Sequence, residues 1–298
     1  MRDLTEPILE LIRLTSTDLP QDIETKLRQA LDQEEPGSAA RGALEAILKN
    51  VKISRDNSTP ICQDTGTPIF YVRYPEGWST RQLRQQIKDA IVIATRRSYL
   101  RPNSVNSLTE KNTGNNLGDD HFPVIHFEEV DGDDLQIELI LKGGGCENVG
   151  AQYSLPDSNL GAGRDLAGVR IAVLDAVQKA QGQGCAPGIL GVAIGGDRGS
   201  GYLASKETLF RQLDDTNPDP KLALLEERLT EEANQLGIGP MGFGGNTTVL
   251  GTKITGLHRL PASYFVTISY MCWAYRRRKM TIAGDEGCGT VVSCSVYS

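Results

Sequence analysis

The sequence predicts an α+β protein, with helices and mixed sheets in a single large domain spanning residues 1–298. Two segments, 80–99 and 165–179, carry apolar residues at helical spacing. Short β-branched and aromatic runs at 69–72, 189–194 and 264–270 read as strands. No internal repeat or low-complexity linker interrupts the chain. With 298 residues, 39% of them hydrophobic, it can bury a substantial core, as one large domain or two small ones. The unbroken pattern favours one.

Taken in order, residues 5–50 form a helical N-terminal part. Ile8, Leu11 and Ile12 open a helical-period run that Ala30, Leu31, Ala43, Leu44, Ile47 and Leu48 continue, broken at Gly37-Ser38. After a loop holding Cys62 comes the strand 69–72. In 80–99, Leu83, Ile87, Ile91 and Ala94 share one face. Residues 103–120, rich in Asn, Asp, Gly and Thr, read as a long polar loop. Strands are expected at 124–127 and 135–141, the second leading into a turn at Gly143–Gly145. Leu166, Val169, Val173 and Val177 mark the helix 165–179. A buried strand at 189–194 ends in Gly195-Gly196. Helices are expected at 205–213 and 222–236, separated by Asn217-Pro218-Asp219-Pro220, and strands at 247–254 and 264–270. Residues 281–298 read as a tail packed loosely or against a partner.

Mean hydropathy is −0.29, and no apolar run approaches the roughly 18 residues that span a bilayer. The start, Met1-Arg2-Asp3-Leu4, lacks the apolar stretch of a secretory signal. A cytoplasmic protein with no membrane association is expected. Six cysteines are too sparse for a disulfide scaffold and suit reduced, partly metal-bound thiols. A net charge of −7 and a pI near 5.2 argue against a nucleic-acid surface. The run Arg276-Arg277-Arg278-Lys279 reads as a solvated or subunit-facing basic patch.

Cys62, Cys185 and Cys272 each stand in a glycine- or proline-marked turn or at a strand end, too far apart for a zinc ribbon or ferredoxin run. Such a trio suits a metal centre of three thiolates with one open corner, since thiolates select iron–sulfur clusters, zinc or copper(I). Three buried or incidental thiols would give the same spacing.

The segments around them occur in one order: Ile61-Cys62-Gln63-Asp64-Thr65-Gly66-Thr67-Pro68, Lys142-Gly143-Gly144-Gly145, Cys185-Ala186-Pro187-Gly188, Ile194-Gly195-Gly196, Gly245-Asn246-Thr247-Thr248 and Ser269-Tyr270-Met271-Cys272-Trp273. Together they resemble the N-terminal half of class I fumarate hydratases and the alpha subunits of fumarate and L-tartrate dehydratases, from about Ile8 to Trp273. The resemblance implies the fold of that N-terminal domain and a [4Fe–4S] cluster ligated by Cys62, Cys185 and Cys272, its fourth iron open to act as a Lewis acid. It implies that Gln63 and Asp64 contact substrate beside the cluster, Asp64 also being suited to cap its own turn. It makes Arg101 a carboxylate-binding residue, a task that a guanidinium fork performs bidentately.

Gly144 and Gly145, with Gly143, would let backbone N–H groups approach an anionic substrate, or serve only a tight positive-φ turn. His258 stands near the place of an active-site histidine, but the family position falls two residues nearer Cys272, where this chain has Leu260. A structural hydrogen-bonder is its other reading. Gly195-Gly196-Asp197-Arg198 lacks the full dinucleotide or P-loop pattern and is expected to pack backbone closely near the cluster. Cys288 and Cys294 have no assigned role. Cys146 stands where the resemblance leads to serine, as a small buried residue or as an extra thiol that alters oxidation sensitivity.

Dehydration also needs a base and further carboxylate-binding groups, which the resemblance assigns to a C-terminal half. A separate beta-type subunit is therefore expected to complete the site, in a heterotetramer built on an alpha-subunit dimer. The expected activity is hydration of a small dicarboxylate, fumarate to malate. L-tartrate dehydration is the alternative. From a different class come a redox or electron-transfer iron–sulfur protein that recruits Cys146 as fourth ligand, and a non-catalytic assembly subunit with structural zinc.

Overall fold

The computed structural model describes residues 3–283 and bears out the α+β class. Contacts within the chain separate two compact units that interleave along the sequence. Among the described residues, the first comprises 3–20, 50–143 and 276–283; the second comprises 21–49 and 144–275.

The first unit is a four-stranded sheet covered by helices α1 (Thr5–Thr17) and α4 (Thr80–Arg96). Its strands are β1 (Thr67–Tyr74), β2 (Val124–Glu129), β3 (Leu135–Lys142) and β8 (Arg277–Ile282), in the order β2-β1-β3-β8. β1 pairs parallel with β2 and antiparallel with β3, which pairs antiparallel with β8. Period-two alternation turns Ile137, Leu139 and Leu141 toward the same apolar cluster as Ile8 and Ile12 of α1 and Leu83, Ile87 and Ile91 of α4. Ser79 caps α4 by accepting the Gln82 N–H. Burial of that face stabilises the helix far more than its propensity does.

The second unit holds helix α2 (Gln21–Gln33) and the first half of α3 (Ala39–Asn57). Its sheet has the order β4-β7-β5-β6, from β4 (Ala151–Ser154), β5 (Gly188–Ile194), β6 (Val249–Gly256) and β7 (Phe265–Met271). β7 runs antiparallel to β4 and β5, whereas β5 and β6 are parallel. Leu190, Val192 and Ile194 pack into the cluster made with α6 (Leu166–Ala180) and α8 (Pro220–Asn234). The opposite face takes α7 (Arg198–Thr208), whose Ser205 carbonyl lies 2.2 Å from where a Cβ on Gly191 would stand. Asp165 and Asp219 cap α6 and α8, and Pro220 takes the first turn of α8.

Several local expectations change. The turn at 143–145 is instead the start of a short helix, α5 (Gly144–Asn148), and none of Gly143, Gly144 and Gly145 has positive φ. The helix expected at 205–213 begins at Arg198, because Asp197 and Ser200 form a reciprocal capping box. Residues 276–279 are no solvated patch: Arg276, Arg277 and Arg278 are buried. Arg278 shares the helix-covered face of β8 with Met280 and Ile282, and its guanidinium meets Asp18 at the end of α1, 2.8 Å away. A charge run reads as surface only while its partner, far away in sequence, is unseen. β8 takes in the first two residues of the tail expected at 281–298; residues 284–298, with Cys288 and Cys294, lie outside the described residues. Among the described residues, no helix is long and apolar enough to cross a membrane.

Candidate active site

In the first unit the Cys62 loop joins α3 to β1. The Ile61 N–H donates to the Ser16 carbonyl, and Asn50 Nδ2 donates to the Ile61 carbonyl, so the loop is held just before the cysteine. Asp64 Oδ1 accepts the Gly66 N–H at 3.0 Å, the turn-capping bond expected of it. Thr65 is fully buried. Its Oγ1 accepts from the Arg101 N–H at 3.1 Å and from Asn103 Nδ2 at 3.0 Å. Arg101 Nη1 donates to the Gln63 carbonyl at 3.1 Å. Cys62, Gln63, Asp64 and Arg101 therefore stand together, and Gln63 and Arg101 face solvent. Gly66 has φ +78°, and a Cβ there would lie 2.8 Å from the Lys142 carbonyl carbon. Only glycine lets the loop pass this close to β3.

In the second unit, a 3₁₀ turn at Gln181–Gly184 leads into Cys185, which takes a left-handed backbone at φ +54° and ψ 63°. A non-glycine residue persists there only when its surroundings hold it. The Cys185 carbonyl accepts the Trp273 N–H at 3.3 Å, which ties the turn to the residue after Cys272. Cys272 itself follows the end of β7 and is buried. The Tyr270 ring fills the space beside this turn. A Cβ on Gly184 or Gly188 would lie 2.5 Å or 2.2 Å from it. Burial first, then the charges of Cys272, Cys146 and Cys185, push the Tyr270 phenol far above its usual value.

Cys185 and Cys272 thus stand at one end of the β5–β7 pair. Gly144 and Gly145 are exposed at the start of α5, with the Gly145 Cβ position 3.6 Å from the Gln183 carbonyl, so they too belong to this end. His258 does not. It is exposed, and its carbonyl accepts the Gly196 N–H beyond the other end of β5, ~20 Å away at the usual rise of a strand. The Gly195-Gly196 turn packs closely as expected, its Cβ position at Gly195 2.4 Å from the Leu257 carbonyl oxygen, but at that far end rather than beside Cys185. His126 lies in β2, its ring against Tyr71.

Two contributors escaped the sequence reading. Asn103 was absorbed into a polar loop. Glu34, at the end of α2, is buried and accepts the N–H groups of Asn246 and Thr247, holding the Gly245–Thr248 segment. Thr248 in turn accepts the Gly188 N–H through its carbonyl. Local sequence carries no sign of a bond spanning so much chain.

None of the four described cysteines is in a disulfide. Among the described residues, no three His, Cys, Asp or Glu side chains are gathered closely enough to hold a metal by themselves. The donor chemistry nonetheless fits a thiolate-ligated cluster: two thiols share one strand end of the second unit, and the third stands in a loop beside an exposed arginine. A cavity of about 430 Å³ in the second unit, lined among others by Lys26, Asp215, Glu226 and Lys253, includes none of these residues.

Two α+β units interleaved along the sequence, each carrying a thiol-bearing turn, define the class, and comparison gives the family. The description "Fumarate hydratase (Fumerase)" matches residues 5–281, and the chain belongs to that family. It is 50% identical over 290 residues to a protein of Geobacillus stearothermophilus named "Putative fumarate hydratase class I", covering 96% of this chain and 56% of that protein. It is 32% identical over 284 residues to the L(+)-tartrate dehydratase subunit alpha of Escherichia coli strain K12, covering 95% of this chain and 91% of that subunit. The chain therefore spans little more than half of the first relative and nearly all of the second.

Proposed function

We propose that this chain is the cluster-bearing part of a hydro-lyase that reversibly adds water to fumarate, giving malate. The observation that carries this reading is the tether between Arg101 and the Cys62 loop, through Gln63 and Thr65, in a chain of the fumarate hydratase family. It joins a thiol ligand, a carboxylate and a carboxylate-binding cation in one local structure.

In this reading Cys62, Cys185 and Cys272 hold a [4Fe–4S] cluster, which when bound supplies a Lewis-acidic iron that polarises the substrate hydroxyl. Arg101 pairs with one substrate carboxylate, its fork oriented by the bond to the Gln63 carbonyl. The exposed Gln63 amide orients the substrate's polar groups. Asp64 sits beside the reacting carbon–oxygen bond, one oxygen held by the Gly66 N–H, and its carboxylate holds the proton of the departing or arriving water. Gly144 and Gly145 allow close approach of substrate to backbone. His258 is left out of the reaction, because it stands at the wrong end of β5. The base that takes the carbon-bound proton comes from a beta-type partner, either a separate subunit in a heterotetramer or a further segment of the polypeptide.

Fumarate is preferred over tartrate because identity is higher to the relative named for fumarate hydration. Anaerobic purification with and without a co-expressed beta-type partner tests the reading, with fumarate hydration followed by absorbance and iron and sulfide counted. Activity only with the partner, and about four irons per chain, is the expected result. A four-iron protein active on tartrate alone would replace the substrate; zinc or no metal would overturn the reading. Cys62→Ser, Cys185→Ser and Cys272→Ser should each abolish cluster absorbance, and a full cluster in any of them would remove that residue from the ligand set.

A further inference from the structure

Cys146 has no task in the reaction proposed above, yet its helix packs beside segments that carry thiols that do. It lies in α5 and is only 4% exposed. The helix is pressed between the two segments that carry the other cysteines of this unit. On one side the Gly145 Cβ position is 3.6 Å from the carbonyl of Gln183, two residues before Cys185. On the other, just past the helix, the Gly150 Cβ position is 3.4 Å from the carbonyl of Ile268 in β7, the strand that leads into Cys272. Gly184 and Gly188 bring the Cys185 turn against the Tyr270 ring, two residues before Cys272. At Gly184 and Gly188, glycine removes the side chain that would hold the turn and the ring apart.

We propose that Cys146 is a redox modification site, a resolving thiol that closes a disulfide onto Cys185 when peroxide oxidises the latter. Cys185 is the more exposed of the two and meets the oxidant first. Peroxide transfers one oxygen to the Cys185 thiolate, giving a sulfenic acid and hydroxide. The Cys146 sulfur then attacks that sulfur, the S–S bond forms, and the S–OH oxygen leaves as water with the Cys146 proton. Two electrons pass from the thiol pair to peroxide, and a cellular dithiol restores both thiols. The disulfide stops Cys185 short of irreversible sulfinic and sulfonic acids. Its value as protection of a cluster ligand rests on the function proposed above, whereas its formation rests only on the placement of the thiols.

The test uses the full chain, metal-free and reduced, and its Cys146→Ser variant, which is close in shape and is checked for fold by circular dichroism. Each is treated with hydrogen peroxide, alkylated and mapped by non-reducing peptide mass spectrometry. The expected result is a dithiothreitol-sensitive Cys146–Cys185 peptide in the wild type, and ~fivefold more sulfinic or sulfonic Cys185 in the variant. Equal over-oxidation of Cys185 in both, or a disulfide joining Cys185 to Cys272 alone, would overturn the proposal. Iron content after reconstitution separates the two readings. A wild type that never loads iron sinks the cluster and leaves the disulfide to the peptide map. A variant that loads fewer irons before any oxidation makes Cys146 a ligand and overturns its role as a resolving thiol.

Discussion

Arg101 is the residue whose place the sequence made legible and whose reason the structure supplied. Its backbone N–H is held by the buried Thr65 hydroxyl and its guanidinium by the Gln63 carbonyl, so it arrives beside Cys62 with its orientation set. Arg101→Ala should raise KM for the dicarboxylate ~10–100-fold, the worth of a charge-assisted hydrogen bond, with iron content unchanged; steady-state kinetics beside an iron assay checks both. An unchanged KM would return Arg101 to the surface. Gly188 offers a stability counterpart. A Cβ there would stand 2.2 Å from Cζ of Tyr270 and 2.3 Å from its hydroxyl oxygen, so the ring must move. Gly188→Ala should cost about 1–3 kcal/mol, as overpacking does, read as a lower denaturant midpoint. At this scale the sequence made legible which residues stand near Cys62, because neighbours in the chain stay neighbours in space. For His258, spacing from Cys272 along the chain carries no information about which end of a strand it reaches, and the structure puts it beyond the end of β5 away from Cys185.

Between elements, the clearest built feature is the ionic network linking the α7–α8 connection, α8 and β6. Lys253 on β6 is nearly buried and donates to Asp215 Oδ1 at 2.6 Å and to the Asp215 carbonyl at 2.9 Å. Arg211 bridges Asp215 and Glu226, and Glu226 also accepts from Asn217 and the Ile254 N–H. Burial pushes the Asp215 carboxyl up, but Arg211 and Lys253 outweigh it and leave it below its ordinary value. A carboxyl depressed in this way contributes stability above its unfolded value of about 4, and that contribution is lost as pH falls through the folded value. Asp215→Asn should therefore cost ~1–3 kcal/mol at neutral pH, mostly from leaving Lys253 without its counter-charge. The gap to wild type should narrow steadily below pH ~4. Urea unfolding at a series of pH values checks the sign, and a pH-independent gap would refute it. Helical and strand periods were readable here, yet α7 was placed late, since its start depends on a two-residue capping box rather than on an apolar face. β8 was missed because a run of arginines reads as surface until Arg278 is seen to meet Asp18, 260 residues away in the chain.

The whole molecule is interleaved. The first unit needs residues from the start, the middle and the end of the described chain, and β8 completes its sheet by pairing Leu135–Ile140 with Arg277–Ile282. A fragment of residues 1–143 lacks that strand and leaves the positions of Met280 and Ile282 in the apolar cluster unfilled. It should show no cooperative unfolding transition by circular dichroism, and a sharp two-state melt would show that the first unit folds without β8. The sequence by itself determined the α+β class, most helices and strands, the set of cysteines and the family, since these follow from local periodicity and from ordered short motifs. Only the tertiary structure decided that α5, with Cys146, packs beside the turn that carries Cys185, that His258 stands beyond the other end of β5, that Glu34 holds a distant glycine loop, and that the basic run is a buried strand. Each of those depends on contacts between residues far apart in the chain, where burial and charge pairing, not local pattern, select the arrangement.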